Sequence, residues 1–191
     1  MFKKVFFLSF LFLLISFPAS ADDNPYYDPY NDDEGSGFVA MEAGKWLMLG
    51  DARDRVQDPT VIYVTLGFNF SEVFSKSLAE LEAIKIGPKI GFGFGNTKST
   101  PTDHQLFYDV LLKLRYTLGS QGNRLRPFIS FGPGFLNFRE VAAELEGGGG
   151  IDYYFGRGSV GLNVQYKELF GSKEIDRGVV LMGTLGYHFG Q

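Results

Sequence analysis

The chain alternates apolar and polar residues in eight segments that follow one another from residue 37 onward. In the segment GLNVQYKELF, for example, Leu162 and Val164 alternate with Asn163 and Gln165. A period of two residues is typical of a β-strand, in which successive side chains point to opposite faces. The alternation runs for about a dozen residues at a time, whereas a typical soluble strand has ~5–6. The pattern therefore predicts an all-β protein with long strands.

The two faces of these segments differ in composition. One face carries large aliphatic and aromatic side chains, and the other is rich in glycine and carries the charged residues Glu42, Lys85, Lys89, Asp109, Lys113, Arg115, Glu144, Glu146, Asp152 and Lys167. Eight apolar faces would overfill the interior of a barrel of eight strands, which is only wide enough for side chains. Charges of both signs can instead pair across such an interior. The pattern thus favours apolar residues facing lipid, and a lipocalin-like barrel or β-sandwich with the faces reversed is the alternative.

The connections between the segments alternate between two kinds. Four are polar and mostly charged: residues 50–59, 95–103, the pair Arg139–Glu140, and 171–177. The other three are residues 71–80, 119–124 and 156–158. Outer-membrane barrels have short periplasmic turns and longer external loops, and only 71–80 is too long for that rule, so a helical turn is predicted there. Pairing the last strand with the first would remove a long hydrophobic edge. We predict an eight-stranded antiparallel up-and-down transmembrane β-barrel over residues 37–191.

Residues 1–21 have the organisation of a secretory signal peptide. Lys3 and Lys4 precede an apolar stretch, Pro18 ends it, and Ala19-Ser20-Ala21 forms a small-residue cleavage site. The apolar stretch has about 13 residues, fewer than the ~20 that a membrane helix needs. We therefore expect cleavage near Asp22 and export through the inner membrane to the bacterial outer membrane.

Residues 22–36 form an acidic segment with five Asp, one Glu and two Pro. Its composition predicts a disordered, solvated tail, and its repeated tyrosines are also compatible with a short docking motif. The spacing of its carboxylates does not match a calcium-binding loop. The whole chain has a net charge of −4 and no cysteine. These features argue against nucleic-acid binding, disulfides and thiolate metal sites, and we expect no cofactor and no metal.

Two histidines are the candidates for acid-base chemistry. His104 follows Asp103 in the predicted external loop, near Ser99, and His188 lies in the last segment near the periplasmic end. A Ser-His-Asp triad needs a particular spatial arrangement that neighbourhood in sequence does not supply. We predict that His104 is a solvated loop residue and that His188 is a hydrogen-bonded interior residue. The sequence accordingly predicts no catalytic residue.

Three stretches carry a resemblance to a known family: RPFISFGPGFLNF (126–138), GGGGIDYYFGRGSVGLNVQYKELF (147–170) and GTLGYHFG (183–190). Together they resemble the OmpA-type eight-stranded outer-membrane barrels, and the likeness covers the chain after Gly37. The family usually ends on a phenylalanine, whereas here Phe189 is followed by two more residues. The sequence matches the barrel domain of that family, and we expect no peptidoglycan-binding domain.

The resemblance implies a structural or surface-interaction role without catalysis. The implied partners are outer-membrane lipid and lipopolysaccharide, and the barrel-assembly machinery during insertion, with the protein itself a monomer. Two alternatives in the same fold are a lipid A-modifying enzyme and a narrow channel or small-ligand carrier.

Overall fold

The computed structural model describes residues 36–70, 73, 84–98, 100–118 and 123–189, with the backbone alone at 100–104. Its eight strands are β1 (Gly37–Met48), β2 (Thr60–Asn69), β3 (Ile84–Thr97), β4 (Thr100–Thr117), β5 (Leu125–Phe138), β6 (Glu140–Phe155), β7 (Gly158–Phe170) and β8 (Arg177–Phe189). A short helix, α1 (Ala52–Arg55), joins β1 to β2. The predicted signal peptide, residues 22–35 of the acidic segment and, apart from Val73, the connection 71–80 lie outside the described residues.

The strands form a closed barrel in which each pairs with its neighbours in sequence, and β8 returns to β1. All eight pairings are antiparallel. The closing pair runs from Gly37 opposite Phe189 to Met48 opposite Gly178. Closure gives every strand two partners, so the long hydrophobic edge expected of an open sheet is absent from the described strands. The predicted up-and-down barrel is confirmed.

The apolar residues lie on the outside of the barrel. On β7, Leu162 and Val164 are 68% and 50% exposed, whereas the intervening Asn163 and the following Gln165 are buried. The same alternation holds along the other strands, since exposed large hydrophobics occur on each of them. The arrangement is the reverse of a soluble barrel and confirms the predicted orientation of the two faces.

Interior glycines make room for large inward-facing side chains. A Cβ atom at Gly91 would overlap the ring of Tyr63, and one at Gly93 would overlap the ring of Phe107. Tyr63 and Phe107 are both buried. The GFGFGN stretch that contains these glycines is therefore part of β3, and it serves close packing in the barrel interior.

The barrel has two different ends. We call the end at which β1 starts and β8 finishes the terminal end, and the opposite one, which carries α1, the loop end. The predicted connection at 95–103 was too long, because β3 continues to Thr97 and β4 already begins at Thr100. His104 is consequently a strand residue, with its backbone opposite Asn96, rather than a loop residue. The β-branched threonines in this stretch favour the extended conformation.

The polar connections at the loop end also contain buried apolar residues. Ala52 and Val56 of the β1–β2 connection are 1% exposed, and Ile175 of the β7–β8 connection is 0% exposed. These connections therefore fold inward over the barrel mouth. Within the described part of the chain, no helix is long and apolar enough to cross a membrane.

Candidate functional site

The interior of the barrel is the candidate site, because it gathers the charged residues that the sequence analysis singled out. Its centre holds seven of them, here called the ion-pair network: Glu42, Lys89, Asp109, Lys113, Glu144, Glu146 and Lys167. They come from β1, β3, β4, β6 and β7, so the network crosses the barrel rather than running along one strand. Every member is at most 4% exposed.

One half of the network is organised around Lys89. Its Nζ donates to both carboxylate oxygens of Glu146, at 2.7 and 2.8 Å. The same Nζ lies 3.4 Å from Oε2 of Glu42, whose other oxygen accepts from Lys113 Nζ at 3.1 Å. It also lies 4.1 Å from the centroid of the Tyr63 ring, a cation–π contact. Each ammonium group is thus held by a carboxylate from a different strand.

The other half is organised around Lys167. Its Nζ lies 2.5 Å from Oδ2 of Asp109 and 3.2 Å from Oε2 of Glu146, and it also donates to Glu144. The hydroxyl of Tyr63 donates to the same Asp109 oxygen at 3.0 Å. Since Glu146 contacts both Lys89 and Lys167, the two halves form one continuous network. The network therefore joins facing walls of the barrel through buried ion pairs.

A buried apolar cluster lies between the network and the loop end. It contains Trp46, Met48, Ala52, Val56, Val61, Tyr63, Phe107, Leu136, Phe138, Ala142, Leu169, Ile175, Val180 and Met182. The ring of Phe107 stands edge-on to the rings of Trp46 and Phe138, with centroids 5.9 and 5.7 Å apart. Sequence analysis missed this cluster, because it expected small and charged residues throughout the interior. The loop end of the barrel therefore has a packed apolar interior.

The connections above this cluster are joined to one another. The Lys98 backbone N–H donates to the Arg55 carbonyl at 2.8 Å, and the Lys98 Nζ donates to the Arg53 carbonyl at 2.5 Å. An Arg55 guanidinium nitrogen in turn donates to the carbonyl of Lys173. We call the joined β1–β2, β3–β4 and β7–β8 connections the loop cap. It presents a fixed surface at the loop end.

The fourth connection at this end joins the loop cap through Arg139. Arg139 adopts a left-handed backbone conformation, with φ of 60°, at the tight turn between β5 and β6. Its guanidinium lies 3.7 Å from Glu174 and donates to Gln105 Oε1 at 2.7 Å. The turn predicted at Arg139–Glu140 is confirmed.

The terminal end has a different interior, in which cations stack on aromatic rings. Arg115 donates to Asp152 at 2.6 Å, and its guanidinium carbon lies 3.8 Å from the Phe128 ring centroid. Arg126 lies 4.6 Å from the centroid of the Tyr154 ring. Such stacking satisfies a guanidinium group without a second carboxylate.

His188 lies in this terminal layer, as the sequence predicted. It is 4% exposed, and its Nε2 lies 3.1 Å from the hydroxyl oxygen of Ser159. Its ring also packs against Tyr154, with centroids 4.9 Å apart. Ser159 and His188 thus supply two of the three components of a Ser-His-acid arrangement.

The described residues contain no cluster of three or more His, Cys, Asp or Glu side chains that could hold a metal ion. The carboxylates of the ion-pair network are instead directed at lysines. The side chain of His104 lies outside the described residues, so its predicted solvation stays a prediction.

Comparison with known proteins finds similarity in structure alone. No protein-family model matches the sequence, and neither does any curated protein. Neisserial surface protein A from Neisseria matches with a TM-score of 0.52 and 10% identity, over 81% of this chain and 98% of that one. At so low an identity, the match shows the shared fold alone.

Two further structures match less closely. The N-terminal β-barrel domain of Pseudomonas aeruginosa OprF has a TM-score of 0.49 and 16% identity, over 81% of this chain and 98% of that chain. The outer-membrane enzyme PagL has a TM-score of 0.46 and 13% identity, over 80% and 99%. The closed barrel and the match to Neisserial surface protein A together show the architecture of eight-stranded outer-membrane barrels. The OmpA type in particular stays a prediction.

Proposed function

We propose that this chain is a bacterial outer-membrane β-barrel protein with a structural or surface-interaction role and no catalytic activity. The observation that carries the proposal is the reversal of the two faces. Val164 on the outside is half exposed, whereas Gln165 and Lys167 on the inside of the same strand are 0% exposed. This arrangement fits a barrel surrounded by lipid.

The outer surface supports a membrane location. Exposed large hydrophobics occur on all eight strands, with Leu106, Phe135 and Val141 each more than 60% exposed. Monomeric soluble proteins rarely expose contiguous apolar patches larger than a few hundred Å². A membrane barrel carries such a surface as an apolar band ~25 Å tall. Export through a cleaved signal peptide, predicted from residues 1–21, would deliver the chain to that membrane.

The interior and the loop cap support a role without catalysis or transport. Charged side chains are paired across the centre, and the apolar cluster containing Trp46 and Phe107 lies above them. The loop cap is joined by hydrogen bonds from Arg55 and Lys98. A rigid, mixed-charge surface of this kind is suited to contact with lipopolysaccharide headgroups or with another macromolecule.

Fractionation tests the location, and cysteine labelling tests the orientation. Because the chain has no native cysteine, Asp54→Cys at the loop end and Arg157→Cys at the terminal end each give one labelling site. We expect outer-membrane recovery, heat-modifiable migration on a gel, and labelling of whole cells by an impermeant maleimide at position 54 alone. Recovery as a soluble periplasmic protein without heat-modifiable migration would refute the proposal. Labelling at position 157 alone would reverse the orientation.

A lipid A-modifying enzyme is the second candidate. One observation favours it, the 3.1 Å contact between Ser159 and His188. The support is weaker than for the first candidate, because both side chains point into the barrel and are at most 4% exposed. An acyl chain in the surrounding lipid would meet the outer face of β7 and β8 instead.

A further inference from the structure

The two signs of charge in the ion-pair network are unequal in number. The network consists of four carboxylates, Glu42, Asp109, Glu144 and Glu146, and three ammonium groups, Lys89, Lys113 and Lys167. Among the described residues, none outside the network forms an ion pair with one of its members. With every member ionised, the network therefore carries one excess negative charge.

The excess charge lies at Asp109 and Glu144. Glu146 is already matched by Lys89, which donates to both of its oxygens. Within the described part of the chain, Lys167 supplies the one ammonium group that contacts Asp109 or Glu144. Since both contact the same nitrogen, these two carboxylates from β4 and β6 are close neighbours. One positive charge thus serves two carboxylates at this point.

The surroundings of the two carboxylates are apolar and closed to solvent. On the inner face of β4, Asp109 lies between the buried side chains of Phe107 and Leu111. On β6, Glu144 lies opposite Leu169 of the apolar cluster. One oxygen of each carboxylate, Asp109 Oδ1 and Glu144 Oε2, is buried without a hydrogen-bond partner among the described residues. A carboxyl group that is buried without a matching cation takes up a proton rather than staying ionised.

We propose that the ion-pair network binds one proton, held on Glu144 beside Asp109. Asp109 accepts from Lys167 and from the hydroxyl of Tyr63, at 2.5 and 3.0 Å, whereas Glu144 accepts from Lys167 alone. Asp109 is therefore the better stabilised as a carboxylate, and the proton goes to Glu144. A proton on Oε2 makes that oxygen a hydroxyl that can donate to the unpartnered Oδ1 of Asp109. The network then contains three carboxylates and three ammonium groups and is neutral.

Infrared spectroscopy of the folded barrel detects this proton directly, because a protonated carboxyl group absorbs at a higher frequency than a carboxylate. The full mature chain is held in phosphatidylcholine nanodiscs at neutral pH. We expect an acid carbonyl band in the wild type and its loss in Glu144→Gln, whose amide keeps the side-chain volume and cannot ionise. A wild-type spectrum without the band, or a band that persists in Glu144→Gln, would overturn the proposal.

Glu146→Gln is the matched control for Glu144→Gln. Glu146 lies two residues away on the same face of β6, and it contacts Lys89 and Lys167. In urea titrations at neutral pH, Glu144→Gln should unfold at no lower urea concentration than the wild type, since it replaces a neutral group. Glu146→Gln should unfold at a lower one, since it removes a carboxylate that two ammonium groups need. A midpoint lowered equally in both variants would contradict a proton on Glu144.

The pH dependence of unfolding counts the proton. The folded barrel holds it, whereas the glutamates of an unfolded chain are ionised above about pH 5. From there to the pH at which the folded barrel releases the proton, the wild-type unfolding constant should rise up to tenfold more per pH unit than that of Glu144→Gln. The titratable groups around Glu144 are Lys167 on β7, Asp109 on β4, Tyr63 on β2 and Glu146 on its own strand.

These neighbouring groups, like His188 farther away, are present in both proteins, so the comparison isolates Glu144. Parallel pH profiles for the wild type and Glu144→Gln would overturn the proposal. Replacing sodium in the buffer with bulky tetramethylammonium should leave the wild-type midpoint unchanged. A midpoint that falls on this exchange would assign the neutralising charge to a metal cation and would overturn the proposal as well.

Discussion

Lys89 and Glu146 face each other across the barrel and are joined by two hydrogen bonds of 2.7 and 2.8 Å. Lys89 lies on β3 and Glu146 on β6, so two intervening strands separate them around the wall. Both side chains are at most 2% exposed. The contact joins opposite walls of the barrel, and each charge offsets the free-energy cost of burying the other.

Removing one partner of this pair should destabilise the barrel more than removing both. Lys89→Met or Glu146→Met leaves a buried charge without its main partner, for which a loss of about 3–5 kcal/mol in the free energy of unfolding is typical. The double variant Lys89→Met/Glu146→Met removes one charge of each sign and replaces the pair with apolar volume. We expect the double variant to lose less free energy of unfolding than either single variant. Urea titration in lipid vesicles, followed by heat-modifiable migration, measures the free energies of unfolding. Single losses that simply add in the double variant would show that the two residues do not interact.

An arginine on the outer face of β7 should lower the free energy of unfolding more at the middle of the strand than near its end. Val164 and Val160 both point outward, at 50% and 40% exposure, and Val160 is the third residue of the strand from the terminal end. We expect a loss of about 2–4 kcal/mol for Val164→Arg and of about 0–1 kcal/mol for Val160→Arg, because the penalty falls toward the interface. The same urea titration checks both values, and equal losses would contradict a lipid-facing β7.

The inward neighbour of Val164 is an unsuitable control. The sequence alone suggests Gln165→Arg as a tolerated change, since Gln165 was expected to face a polar interior. In the structure, Gln165 is 0% exposed and exchanges hydrogen bonds of 3.0 and 3.2 Å with Ser130. An arginine there would lose both bonds and overfill a packed site. Comparison of two outward-facing positions avoids this complication.

Truncation of Trp46 should destabilise the loop end. Trp46 is 0% exposed and packs edge-on against Phe107, with Lys167 Nζ 5.5 Å from its ring centroid. Trp46→Ala leaves a cavity, and large aromatic truncations of this kind typically cost about 3–5 kcal/mol. Trp46→Phe keeps much of the side-chain volume and should lose less free energy of unfolding than Trp46→Ala. Unfolding free energies of the two variants decide the matter, and a loss under about 1 kcal/mol for Trp46→Ala would show a loosely packed cluster.

The orientation of the side chains could be predicted from the sequence because it is a local property. Successive residues of a strand point to opposite faces, so Glu42 or Lys167 is assigned to the interior as soon as its neighbours are assigned to lipid. The register among eight strands is not local. Which carboxylate meets Lys89 depends on how far β3 and β6 are offset around the barrel, and no short stretch of sequence states that offset.

The apolar cluster was missed because its residues lack contrast with their neighbours. Phe107 of the cluster and Leu111, which is buried as well, lie in a stretch that is apolar on both faces, so composition does not mark them as internal. Their spacing from Asp109 does mark them as internal, because residues two positions apart on a strand share a face and Asp109 was assigned to the interior. Ile175 carried no such signal, since it lies in the polar stretch GSKEIDR and is buried by the folding of a connection.

The contact between Ser159 and His188 leads to a last prediction, which separates an interior hydrogen bond from a catalytic pair. If the contact is structural, lipid A extracted from cells should have the same acyl pattern with the protein present, absent, or carrying Ser159→Ala. His188→Ala should reduce stability through lost packing on Tyr154 and Phe38, whose ring centroids lie 4.9 and 5.8 Å away. Mass spectrometry of lipid A gives the first result, and urea titration gives the second. An acyl change that requires wild-type protein and disappears in Ser159→Ala would establish the enzyme instead, because that substitution removes the nucleophile and leaves the imidazole in place.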